Sequence, residues 1–285
     1  MRFGFVTCVE LGLACMDEIY SGGGELTLAV TLPDDKARRK SGRVYLDDFC
    51  HDHGIDLLKV PNINDGEAVA AIQQHGIDWL FIIGWSQIAR AEVLAAPKRG
   101  AVGAHPTLLP QGRGRAAIPW TILKGLAESG VTVFQLDEGV DTGPILLQEV
   151  FAVSQDETAA TLYQKVVVAH RAAIRNVWEA LENGSVTPIP QDETRATYWE
   201  GRTPADGRIT SSMTVEEVDR LVRATTHPYP GAFVEQPPNI VRIWQGCPGS
   251  PLDPAPDNGM RLALADGVYD ATAIEVEGLA TPGSP

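Results

Sequence analysis

The chain opens with a short apolar run from Arg2 to Thr7. Apolar positions between Leu11 and Ile19 then recur at helical spacing and stop at Gly22-Gly23-Gly24, so a strand followed by a helix is predicted. The alternation continues. Leu26 to Leu32 predicts a buried strand, Tyr45 to His53 a helix, Leu57 to Val60 a short strand and Gly66 to Gln74 another helix. Trp79 to Ile83 is unbroken apolar sequence, which suits a parallel strand covered by helices on both faces. Such alternation predicts a Rossmann-like, doubly wound and mostly parallel α/β sheet. Its ligands should lie at the carboxyl ends of the strands, where the loops carrying Gly84, His105 and Asp141 converge.

Val131 to Leu136 and Ile145 to Val153 are further predicted strands, and a long helix follows from Thr158 to Glu182. Asp156 and Glu157 suit its start, and Asn183-Gly184 marks its end. Pro188 to Pro204 is polar and turn-rich. Beyond it, Thr214 to Arg223 reads as an amphipathic helix with Thr214 as N-cap and Glu217 completing a capping box. After Gly231, four short β-like runs (232–234, 240–244, 261–264 and 273–276) are separated by Pro/Gly-rich turns. The predicted division is a catalytic-type α/β domain over 1–187, a linker over 188–210 and a small β-rich, OB-like domain over 211–285. Its tail past Gly278 is expected to fray.

Composition narrows the function classes. With 44% hydrophobic and 21% charged residues, the chain reads as a soluble globular protein. No run reaches the roughly 18 apolar residues of a membrane span, and the start is too short for a secretory segment. A cytoplasmic protein with no membrane partner is expected. Four cysteines without paired spacing read as reduced, mostly buried thiols. The 37 acids against 23 Lys and Arg give a net charge of −14, which speaks against nucleic acid as a partner. One basic cluster, Lys36, Arg38, Arg39, Lys40 and Arg43, reads as a solvated loop, with a contact to an anionic small molecule as the alternative. His51 and His53 diverge on a predicted helix, and no metal site is expected.

The candidate chemistry sits in two turn-rich stretches, Ala104 to Pro110 and Gly139 to Pro144. Prolines and glycines flank His105 and Asp141, so each is expected on a rigid turn that holds its side chain against a ligand. An imidazole titrates near working pH and can donate to an oxyanion or shuttle a proton; an adjacent carboxylate can orient and polarise it.

These stretches resemble the catalytic core of folate-dependent formyltransferases, whose pattern is an asparagine, one residue, a histidine and a Ser/Thr-Leu-Leu-Pro turn, then an Asp-x-Gly-x-Asp-Thr/Ser-Gly loop. His105 and Asp141 match as the catalytic pair. The asparagine position is held by Gly103. Gly112 to Trp120 and Ser129 to Thr132 are also similar to family segments. The resemblance implies 10-formyltetrahydrofolate as co-substrate, bound by Gly84, Trp85, Ser86, Gln87 and Ile88 on one side and Asp137, Glu138, Gly139 and Val140 on the other. Formyl transfer needs a neutral amine, oxyanion stabilisation and a proton for the departing folate nitrogen. A backbone N–H or a water is expected to replace the missing amide.

Tyr198 to Ile209 and Leu221 to Phe233 are similar to the formyltransferase domain acting on UDP-4-amino-4-deoxy-L-arabinose. The resemblance implies a small amine acceptor, a nucleotide-linked amino sugar, with Gln111, Arg113, Arg115, Arg202 and Arg223 as substrate-binding candidates. For Arg202 and Arg223, salt bridging within the domain junction is an equal alternative. The other readings are formylation of an amino acid such as hydroxyornithine, formylation of methionyl-tRNA, and non-catalytic folate binding. A homodimer is compatible with the sequence, which carries no distinctive interface stripe.

Overall fold

The computed structural model describes residues 1–37 and 42–278. Arg38, Arg39 and Lys40 of the basic cluster and the tail past Gly278 lie outside the described residues. The first part of the chain forms β1 (Phe3–Val6), α1 (Glu10–Ser21), β2 (Leu28–Thr31), α2 (Asp34–Ala37), α3 (Asp47–His53), β3 (Asp56–Lys59), α4 (Gly66–Gln74), β4 (Trp79–Ile82), α5 (Ala91–Leu94) and β5 (Gly100–His105). There follow β6 (Arg113–Gly114), α6 (Ala117–Leu123), β7 (Glu128–Gln135), β8 (Ile145–Ala152), α7 (Ala159–Asn183) and β9 (Tyr198–Trp199). The remainder is α8 (Val215–Thr225), β10 (Ala232–Gln236), β11 (Asn239–Pro248), β12 (Met260–Ala263) and β13 (Val268–Gly278).

Two compact units form. The first comprises Met1–Gly114, Ser129–Phe151 and Lys165–Tyr198. Its seven-stranded sheet has the order β3-β2-β1-β4-β5-β7-β8, with β1 to β5 mutually parallel and β7 antiparallel to β5. Period-two alternation within buried strands supplies two cores. Val6, Val30, Leu80 and Ile82 pack with Ala68 and Ile72 of α4 on one face. Phe3, Phe5 and Phe81 stack together on the other, where Phe3 meets Trp178 of α7 at a centroid distance of 5.9 Å. Burying each of these large side chains contributes about 1.5–3 kcal/mol relative to exposure, which is why the apolar runs commit to strands here.

The second unit comprises Arg115–Glu128, Ala152–Gln164 and the chain from Trp199 onward. Its four-stranded antiparallel sheet has the order β10-β11-β13-β12. Val218, Leu221 and Val222 of α8 pack on Ala232, Ile243 and Tyr269 of that sheet. The predicted cap is present: Thr214 Oγ1 accepts from the Glu217 amide while the Glu217 carboxylate accepts from the Thr214 amide. Leu123 of α6 packs against the same core, and residues 115–128 group with this compact unit by their contacts. The segment expected as a linker is likewise divided, its first part tied into the first unit by Ile189, which pairs with Ile145.

Among the described residues, no helix is long and apolar enough to cross a membrane, and Cys8, Cys15, Cys50 and Cys247 form no disulfide with one another.

Candidate active site

His105 is the last residue of β5 and only 8% exposed. The Gly112 carbonyl accepts from its Nε2 at 2.8 Å, which assigns the Nε2–H tautomer and leaves Nδ1 as the nitrogen able to gain or lose a proton. Nδ1 lies 3.6 Å from Asp141 Oδ2. That is too long for a hydrogen bond and short enough for strong attraction once the ring is charged. Asp141 Oδ2 also accepts from the Gly114 amide at 2.8 Å, so the carboxylate is held rather than free to swing. β7 runs antiparallel to β5, with Gln135 opposite Val102 and Thr132 opposite His105. The loop after β7 therefore starts beside Val102 and turns back to deliver Asp141, an approach that a fully parallel sheet would not require.

A second imidazole stands behind the first. His170, on α7, is 1% exposed, and its Nδ1 donates to the Val166 carbonyl at 2.8 Å. Burial lowers its pKa to about 4, the hydrogen bond to Val166 opposes this, and the charge of His105 adds to the lowering.

The two loops expected to hold folate flank this strand end. Gly84 follows β4 with φ +66°, and a Cβ there would sit 2.4 Å from Val9, so only glycine fits this turn. Gln87 turns inward: its Oε1 accepts from the Ile63 amide and its Nε2 donates to the Pro61 carbonyl. It fixes the loop instead of offering its side chain to a ligand. Trp85 packs against the core with its indole N–H buried and unpartnered, Ser86 is exposed, and Ile88 is 70% exposed. On the opposite loop, Asp137 accepts from the Gly139 amide and the Thr142 hydroxyl, while Glu138, Gly139 and Val140 face solvent. Among the described residues no His, Cys, Asp and Glu group is arranged to hold a metal ion.

Residues 29–177 match the formyl transferase family and residues 202–270 match the formyl transferase carboxyl-terminal domain. The chain belongs to the formyltransferase family. A methionyl-tRNA formyltransferase of Anaeromyxobacter dehalogenans (strain 2CP-C) is 30% identical over 98% of this chain and 93% of the relative. WlaRD, a sugar 3N-formyltransferase solved in the presence of dTDP and 5-N-formyl-THF, superposes with a TM-score of 0.71 at 17% identity, covering 99% of this chain and 98% of that one. The methionyl-tRNA formyltransferase of Clostridium thermocellum gives a TM-score of 0.62 at 16% identity, covering 98% and 99%. The fold is common to both kinds of enzyme.

In this formyltransferase the space beside Gly103 is filled. A Cβ there would lie 2.7 Å from Leu136 Cδ2, so the volume an asparagine side chain would use holds an apolar one. The arginines divide. Arg113 is wholly buried, and its guanidinium is bonded to Gln191, Glu193 and Tyr198. The expectation of a substrate contact at Arg113 is corrected: its donors are used by the fold. Arg223 is similarly committed, to the Asp219 carboxylate one turn earlier on α8 and to the Glu157 carbonyl. Gln111 and Arg115 are exposed. Arg202 lies over the Trp120 ring at 5.1 Å and donates to the Asp206 carbonyl. Sequence reasoning passed over His170 and Gln191, because a lone histidine on an apolar helix face and a glutamine in a polar stretch carry no local signal.

Proposed function

We propose that this formyltransferase uses His105 and Asp141 to move the formyl group of 10-formyltetrahydrofolate onto the amine of a small, nucleotide-linked amino sugar. The observation that carries the reading is the His105–Asp141 pair, in which one ring nitrogen is anchored by a backbone carbonyl and the other faces a fixed carboxylate. Ile88 and Val140, 70% and 50% exposed on the two flanking loops, supply apolar edges suited to a flat pterin and aminobenzoyl system. The bound folate supplies an activated formyl carbon. The acceptor nitrogen bonds to that carbon, the bond to the folate nitrogen breaks, and one proton passes from the amine to the departing nitrogen. His105 carries that proton on Nδ1, and Asp141 stabilises the imidazolium while it does so.

Within the second unit, Trp120 has two cations near its ring, Lys124 at 5.4 Å and Arg202 at 5.1 Å. Arg115 packs alongside Gly201. None of these three cations forms an ion pair with a carboxylate among the described residues. In a chain of net charge −14, unpaired cations beside an aromatic face suit a base and its phosphates. Methionyl-tRNA is the second reading, favoured by the 30% identical relative, and the overall negative charge weighs against it.

The test is incubation with 10-formyltetrahydrofolate and UDP- and dTDP-linked amino sugars, hydroxyornithine and methionyl-tRNA, following tetrahydrofolate release and acceptor mass. One formyl group gained by an amino sugar, and lost with His105→Ala, is the expected result. Turnover confined to methionyl-tRNA would replace the acceptor; unimpaired turnover by His105→Ala would remove the mechanism.

A further inference from the structure

Asp141 has a left-handed backbone, φ 56°, a conformation that costs a non-glycine residue about 1 kcal/mol or more unless its surroundings impose it. What imposes it comes from a stretch with no catalytic signature. The Gln191 amide donates both hydrogens into the turn, to the Asp141 carbonyl at 2.9 Å and the Gly143 carbonyl at 2.7 Å. Its own oxygen accepts from Arg113 Nε at 3.1 Å and Nη2 at 2.8 Å. An arginine can only donate, so Arg113 decides which end of the amide faces the turn. Arg113 is itself fixed: Nη1 and Nη2 bond the two Glu193 carboxylate oxygens at 2.8 and 2.6 Å, and Nη1 bonds the Tyr198 hydroxyl at 2.8 Å.

We propose that Gln191, oriented by the buried Arg113, is a positioning residue that holds Asp141 in its left-handed turn and so aims its carboxylate at His105. The inference rests on the acid–base reading of His105 and Asp141 given above. It explains why a wholly buried guanidinium stands one residue from Gly114, whose amide donates to that same carboxylate. It also sets the residue type. Glutamate has the same shape and would bond Arg113 at least as well, yet it would turn an oxygen toward two carbonyl oxygens. A packing role tolerates that exchange; a positioning role does not.

The first arm of the test needs no substrate. In Gln191→Glu, amide hydrogen exchange followed by NMR is expected to rise at least about tenfold at Gly114, while Gly112, bonded to the Thr197 hydroxyl, keeps its rate. An unchanged Gly114 rate in the folded variant overturns the proposal. If Gln191→Glu does not fold, Gln191→Asn, too short to bridge Arg113 and the turn, carries the same readout. The second arm is turnover. The kcat of Gln191→Glu is expected to fall about 10- to 100-fold with KM for the formyl donor within about threefold, and the loss to disappear when Asp141→Asn is already present. Additive losses mean that Gln191 acts on stability alone and refute the proposal. If Asp141→Asn by itself leaves kcat unchanged, the acid–base reading fails instead, and the exchange arm still decides whether Gln191 holds the turn.

Discussion

The buried His170 makes the stability of this enzyme depend on mild acid in a way that can be calculated. Burial holds its imidazole at about 4 in the folded protein, against the ordinary 6.5 that applies once the chain unfolds. A base whose folded pKa is depressed is neutral in both states above pH 6.5, so its stability contribution is fully present there. As pH falls from 6.5 to about 4, the unfolded chain takes up a proton that the folded protein refuses, and stability is lost. At roughly 1.4 kcal/mol per pH unit of displacement, the full loss is about 3 kcal/mol, a large fraction of a typical domain's stability. The perturbation is His170→Met, which keeps an apolar side chain of similar volume and removes the titrating group. Urea denaturation at pH 7.5, 5.5 and 4.5 measures both proteins, and the carboxylates common to both cancel in the difference. The wild type is expected to lose about 2–3 kcal/mol more than the variant between pH 7.5 and 4.5. Parallel pH dependence of the two proteins would refute the reasoning, because it would mean that His170 is hydrated or paired when charged.

Two further predictions concern the site and the second unit. Gly103→Asn combined with Leu136→Ala, which clears the crowding at 2.7 Å, places an amide two residues before His105, where the proposed mechanism would use an oxyanion donor. If another donor already meets the oxyanion, kcat changes less than about tenfold; a rise of about 100-fold would show instead that the donor was missing. Thr214→Ala removes the hydroxyl that caps α8 and bonds the Glu217 carboxylate, and is expected to cost about 1 kcal/mol by thermal denaturation, while the Thr214 amide keeps its bond to Glu217. An unchanged midpoint would mean that the packing of Val218, Leu221 and Val222 alone fixes this helix.

The sequence was most legible where burial is periodic. Gly66–Gln74 is a helix over the predicted span, and the four carboxyl-terminal runs became β10 to β13, because apolar spacing and turn residues there point the same way. β5 was harder to read: Gly100-Ala101-Val102-Gly103-Ala104-His105 has small residues where a strand signal needs bulk, and the sheet on either side supplies the order. α6 was missed because it is entered through Ala116 at φ 55°, without a capping side chain. Its membership of the second unit rests on contacts far along the chain, such as Leu123 with the β-rich core, which no local pattern encodes. At the site, residue identity marked His105 and Asp141. It misled at Arg113, because the same glycine-flanked arginine reads alike whether its partners are a substrate or Gln191 and Glu193.

Gly103 imposes a condition on the proposed chemistry that follows from counting donors. His105 has two ring nitrogens; Nε2 is spent on the Gly112 carbonyl, and Nδ1 faces Asp141. The imidazolium therefore has one proton to give, and it cannot be shared at full strength between a carboxylate and a developing formyl oxyanion. An asparagine would have separated those tasks. With Leu136 in that space, the oxyanion must be met by backbone N–H groups or water if His105 is to keep its proton for the departing nitrogen. Asp141 accordingly has to be held still, since an imidazolium that drifts toward the oxyanion loses its partner. The left-handed turn at Asp141, tied by Gln191 to a wholly buried Arg113, is the arrangement that this demand would favour.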